Sequence, residues 1–273
     1  MTHLIRTEWL KIKKYNAFWW IIGLTALSYP GINYMFYTVY QDITRQPNTA
    51  GKMIKMAVGN PFAFPEAWQS VAYFSSWFVF IPAVVVIMFV SNEYSFRTHR
   101  QNIIDGWSRS QFVTSKMVDV LIVSLLITLL YLATTLTSGY FNLADGSGDN
   151  WSKSYYTGLF LLQTFSQLSI AFLVGFLVRK AFIALGIFIF YFLILENILV
   201  GLFKLKVNDI GAYLPFEISD RMIPVPAFLG RLDTPENYQR ALDRIPLHTG
   251  LTVLLTIIIW GICYRVNNRR DLK

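Results

Sequence analysis

Residues 93–116 read EYSFRTHRQNIIDGWSRSQFVTSK, a polar, basic stretch between two long apolar runs, Val71 to Val90 and Val118 to Tyr140. Apolar runs of about 20 residues are long enough to cross a bilayer as helices, so the stretch between them surfaces on one side of a membrane. Arg97, Arg100, Arg109 and Lys116 outweigh Glu93 and Asp105, which places it on the cytoplasmic side under the positive-inside rule. The stretch has internal order. Ile103 and Ile104 precede an Asp105-Gly106 break, and Ser108 can cap a new helix that enters the membrane through Phe112. Helix, turn and helix restart describe a shaped knob; an ordinary solvated basic loop is the plainer alternative.

Working outward, 54% of the 273 residues are hydrophobic and only 15% are charged, against about a quarter in soluble domains. The class is a multi-pass membrane protein. Residues 1–17 carry Arg6, Lys11, Lys13 and Lys14, with Ile5, Trp9 and Ile12 on one helical face. This pattern predicts an interfacial amphipathic helix. Spans are expected at 18–40, 71–90, 118–140, 155–178, 182–203 and 247–264. Pro30-Gly31 should kink the first, and Arg179-Lys180 make a tight turn between the fourth and fifth. The expected fold is therefore all-α, a single transmembrane domain over 18–265 with six helices. Both termini are cytoplasmic, and the tail 266–273 is basic. The outer segment 204–246, rich in proline, should form short helices on or in the outer leaflet.

The charges agree with that topology. The segments assigned to the cytoplasm hold fourteen Lys and Arg against four Asp and Glu, whereas the outer segments hold ten of each. The net charge of +8 is thus a topology signal and not a nucleic-acid patch.

Cys263 is alone, which excludes an intrachain disulfide, and His3, His99 and His248 are too scattered for a metal site. There is no phosphate-binding loop: around Gly51-Lys52 the required upstream glycine is Gln46 and Met53 stands where Ser or Thr is needed. No nucleophile–base set is suggested by spacing, so the chain is not expected to be an enzyme. Within the spans, Glu196 beside Asn197 in the fifth stands out, as does Asp119 at the cytoplasmic mouth of the third. Intramembrane acids face protein interiors or water paths. Glu196 can be a pathway or gating residue, or a hydrogen-bonded pin between helices. Ala171 and Gly175 form a small-xxx-small pair suited to close helix contact.

The loop carries a resemblance. Glu93, Thr98, Asp105, Gly106, Ser108, Arg109, Phe112 and Lys116 spell E-x4-T-x6-D-G-x-S-R-x2-F-x3-K. With an interfacial N-terminal helix and six spans, this is similar to the integral-membrane permeases of ABC exporters of the second type. Arg97 departs from the glycine frequent before the Thr, and Trp107-Ser108 from a frequent proline. The resemblance implies that the loop, including Ile103 and Ile104, is a coupling helix docked on a separate ATPase subunit. It also implies that the N-terminal helix is a gate or elbow helix. Two permease copies, a homodimer rather than a heterodimer, would sit on two ATPase copies in the bacterial cytoplasmic membrane. ATP and Mg would be bound by the ATPase, and no cofactor by this chain. The substrate implied is amphiphilic or hydrophobic. An ion-coupled carrier or channel using Glu196 and a non-transporting scaffold are the alternatives.

Overall fold

The computed structural model describes residues 13–45, 59–104, 106–143, 149–206, 209–230 and 235–269, and among them the fold is entirely helical. The expected interfacial helix over 1–17, Asp105 and the end of the basic tail lie wholly or mostly outside the described residues. Helix α1 spans Asn16–Arg45, α2 Ala67–Ser76 and α3 Phe80–Ser95. The short α4 spans Thr98–Ile104, followed by α5, Arg109–Phe141, and α6, Tyr156–Val178. Next, α7, Ala181–Phe190, runs through a π turn at Tyr191–Leu195 into α8, Glu196–Lys206. A 3-10 turn at Asp209–Tyr213 precedes the short helices α9, Pro215–Asp220, α10, Ala227–Gly230, and α11, Pro235–Asp243; α12, Ile245–Arg269, closes the chain.

Four helical stretches are long and apolar enough to cross a membrane: 109–141, 156–178, 181–205 and 245–269. A fifth is obtained if α2 and α3, bent by 51° at their junction, count as one broken span. Helix α1 has the length, 30 residues, and is less apolar than these. Pro30 lies within its continuous helix.

The span expected at 71–90, with Pro82 inside it, takes the form of the bent pair α2–α3. Pro82 has no N–H, and its ring crowds the carbonyl four residues earlier, that of Phe78. That carbonyl accepts from Ile81 N at 3.0 Å, and Phe78 N and Val79 N bond Ser75 O and Ser76 O at 3.1 and 3.2 Å. These are tight three-residue turns, and the axis bends where they replace the α pattern.

Helix α6 is the centre of the bundle, packed by α3, α5 and α12. Its buried face is partly polar: Gln163, Thr164, Ser166, Gln167 and Ser169 all lie within the protein. Between lipid-soluble helices the gain comes from close packing and satisfied polar groups rather than from expelling water. Both devices are present. Trp260 Nε1 donates to Ser169 Oγ at 3.0 Å, and at Gly175 the backbone of α6 approaches α3 so closely that an added Cβ would lie 2.6 Å from a Val90 methyl.

The two ends of the bundle differ. At one end, Trp68 Nε1 donates to Asn150 O at 2.8 Å and Lys153 pairs with Glu66 at 2.7 Å. There Gln69 Nε2 also bonds Pro224 O at 3.0 Å. The segments 59–68, 149–154, 209–230 and 235–243 thus form one cap, with Phe216, Met222, Ile223 and Phe228 turned into the protein. At the other end, Asn92 Nδ2 meets Tyr15 Oη at 3.2 Å and Thr114 Oγ1 meets Tyr264 Oη at 2.7 Å. The start and finish of the described chain share that end with the 93–116 loop.

The Gly175 approach yields a prediction. Gly175→Leu should push α6 from α3 and destabilise the protein by about 1–3 kcal/mol. Gly186→Leu, at a glycine with open space around it, should be neutral. Melting of the two purified variants in detergent checks this.

Candidate functional site

The loop is built by its caps. Helix α3 stops at Ser95, Phe96 N bonds Asn92 O at 2.8 Å, and Arg97 takes a left-handed φ of 57° that reverses the chain into α4. Helix α4 is held back onto α3 because Thr98 Oγ1 and His99 Nδ1 both reach Glu93 O, at 3.4 and 3.2 Å. It ends near Gly106, whose φ of 98° suits glycine. Gly106 N bonds Ile103 O at 3.1 Å and Trp107 N bonds Asn102 O at 3.0 Å, which satisfies the last carbonyls of α4. Ser108 then starts α5 with a reciprocal capping box. Its Oγ accepts from Gln111 N at 3.2 Å, and Gln111 Oε1 accepts from Ser108 N at 2.8 Å.

The sequence-predicted loop residues divide into two sets. Glu93, Phe112 and Lys116 are buried at the loop's base, so they are no part of a docking surface. Lys116 Nζ lies 2.7 Å from Glu93 Oε1 and 3.3 Å from Asp119 Oδ2, with all three side chains inside the protein. A charge withdrawn from water is tolerated only with a close opposite charge, and here the pairing ties α3 to α5. Asp119 is therefore not at a wet mouth, as its position in the chain suggests, but in this buried group. The void beside it, lined by Val86, Val90, Val123 and Phe172, measures about 10 Å³, room for about one water.

Arg109 is also engaged within the chain. Its Nη1 donates to the carbonyls of Asn268 and Asn267 at 3.0 and 3.4 Å, and Asn267 Nδ2 donates to Arg109 O at 2.7 Å. The guanidinium thus serves the orphan carbonyls at the end of α12. The exposed set consists of Ile104, Gly106 and Ser108, with Thr98 and Ile103 half-buried. Phe96, which the sequence pattern did not single out, joins it at 75% exposure beside Ile104 at 77%. A large apolar residue set among loop charges was the available signal.

Glu196, Asn197 and Asp119 are not brought together. Glu196 is buried, and its Oε1 accepts from Phe216 N and Glu217 N at 2.7 Å each. It caps the first turn of α9 from another helix, in place of Leu214, whose apolar side chain cannot do so. Pro215 at the first position has no N–H, so one carboxylate oxygen serves the two donors that follow. The pin reading therefore describes its geometry. Asn197, next in the chain, is exposed, with its Nδ2 turned back to Phe192 O and Leu193 O at 3.2 and 3.1 Å.

Asp220, at the end of α9, was not anticipated. Its Oδ1 accepts from Gln163 Nε2 and Gln167 Nε2, both at 2.7 Å, which moors the cap to α6. Removal from water pushes its carboxyl up to about 7, against the opposing effect of those bonds. Among the described residues no group of three or more His, Cys, Asp and Glu could hold a metal ion.

This architecture defines an all-helical chain with several helices able to cross a bilayer, as in a multi-pass membrane protein. The profile of the family described as "Protein of unknown function (DUF2705)" matches residues 52–272, and the chain belongs to that family. No match is found among curated proteins.

Two predictions follow from the buried carboxylates. Lys116→Met should leave the Glu93 and Asp119 charges uncompensated and cost about 3–5 kcal/mol, read as lost thermal stability in detergent. Glu196→Leu, which strands the Phe216 and Glu217 amides, should cost about 1–3 kcal/mol, whereas Glu196→Gln keeps an acceptor and should cost less. Equal melting of the two Glu196 variants would contradict the capping role.

Proposed function

We propose that this chain is the permease subunit of an ATP-binding-cassette exporter of the second type. It crosses the bacterial cytoplasmic membrane six times, with both termini cytoplasmic, and is driven by a separate ATPase subunit. The observation that carries the reading is the mechanical character of the 93–116 loop. Its tip offers Phe96 and Ile104 to solvent, while its base is locked to α3 and α5 by Lys116 and to the end of α12 by Arg109. An apolar tip on a fully capped helix–turn–helix suits a groove in a partner protein. Locks to three long helices let a push on the tip become a rigid tilt rather than a local deformation.

Three further features support it. Among the described residues, Tyr15, the 93–116 loop, the Arg179-Lys180 turn and the end of α12 lie at one end of the bundle. The void beside Asp119 holds about one water, and an amphiphilic or hydrophobic molecule would take a path between two copies of the chain. Nucleotide and Mg belong to the ATPase, since this chain has no phosphate loop. The carrier reading is less favoured, because Glu196 is occupied in capping α9.

The test is affinity purification of the tagged chain from native membranes in mild detergent. A stoichiometric ATPase subunit should copurify, and Ile104→Glu combined with Phe96→Glu should remove it while the melting temperature stays unchanged, since both side chains are exposed. Recovery of a folded chain without any ATPase, or ATPase binding indifferent to the substitutions, would refute the proposal.

A further inference from the structure

The same end of the bundle holds a cleft of about 380 Å³ between the α3–α4 turn and the α6–α7 turn. Tyr94, Ser95, Arg97, His99, Arg179 and Lys180 line it. Arg97, Arg179 and Lys180 line one small volume, and among the described residues no carboxylate pairs with any of them.

Backbone geometry adds a second observation. Arg97 follows the end of α3 with φ 57°, and Arg179 ends α6 with φ 60°. Glycine is the usual occupant of such left-handed helix ends, because a side chain there crowds its own carbonyl. Two helix ends that meet at one cleft both carry arginine instead. The Arg179 guanidinium lies 4.8 Å over the Tyr94 ring, and that ring is 4.7 Å from His99. The stack fixes one cation at the cleft wall.

The surroundings identify the ligand class. Val178 lines the cleft, and next to it Leu177, Phe182 and Ile183 are exposed at 42%, 90% and 48%. The open apolar face continues along the same helix through Ile187, Phe190 and Ile194. A free anion needs only the cations, and an acidic protein segment needs a polar rim. A cationic cleft lined by Arg179 and Lys180, followed directly in the chain by exposed Phe182 and Ile183, matches a phosphate headgroup with an acyl chain beneath it.

We infer that this cleft is a binding site for the headgroup of an anionic phospholipid, with Arg97, Arg179 and Lys180 around the phosphate and the chain laid over Phe182 and Ile183. The site requires only that the helices lie in a bilayer and is independent of any ATPase, so its failure and that of the exporter proposal are separable.

Native mass spectrometry of the detergent-purified protein, titrated with phosphatidylglycerol or with phosphatidylcholine of the same chains, tests it. Phosphatidylglycerol should bind preferentially. Arg97→Gly/Arg179→Gly/Lys180→Gln should lower that affinity by about tenfold to a hundredfold, with phosphatidylcholine unaffected. Glycine suits both left-handed positions, so the variant should retain its fold, as melting will show. Lys180→Gln alone, at an exposed side chain, should still weaken phosphatidylglycerol several-fold. A phosphatidylglycerol affinity that is unchanged in either folded variant overturns the inference. Displacement of the lipid by excess inorganic phosphate at equal affinity overturns it in favour of a free-phosphate site. Binding of a polyglutamate peptide without any lipid preference overturns it in favour of an acidic protein partner.

Discussion

A lysine buried inside a helical bundle has no water to turn to, and Lys116 meets that constraint through Glu93 and Asp119. Desolvating three charges is tolerable only while their geometry is kept, so the ends of α3 and α5 are held in register. The 93–116 loop springs from those two ends. Its capping box, its glycine turn and the Thr98 and His99 contacts to Glu93 O then shape a defined body. Without the buried pairing, the same caps would sit on a hinge.

The opposite end follows the same rule with different groups. The cap of short helices rests on two carboxylates, Glu196 beneath the first turn of α9 and Asp220 beneath the side chains of Gln163 and Gln167. One accepts from backbone amides that have no partner of their own; the other accepts from side-chain amides that α6 cannot satisfy internally. Between the two ends the bundle relies on close approach, as at Gly175, and on hydrogen bonds such as Trp260 to Ser169. Within the polar row on α6, Gln163, Gln167 and Ser169 bond neighbouring elements.

Much of this was legible in the chain because the signals are local. Apolar runs located the long helices, the Asp105-Gly106 break and Ser108 located the turn and the restart, and Gly175 pointed to a close contact that the backbone bears out. What could not be read depends on partners far away in the chain. Pro82 was visible, yet whether it would kink or break its span depended on how the Phe78 carbonyl would be satisfied. Lys116 and Glu93 looked like loop residues because they flank a charged loop, and their burial follows from the packing of α3 against α5.

The order of apolar and basic segments by itself determined a helical membrane protein with a structured loop, since hydropathy and charge act on each segment independently of the others. The employment of each charge was decided only by the tertiary structure. Arg109 serves the end of α12, 158 residues away. Glu196 caps a helix that begins some twenty residues later, and Arg97 and Arg179 meet at one cleft from opposite halves of the chain. A charged side chain's energy is set by the groups within a few ångströms of it, and those groups are assembled only when the helices pack.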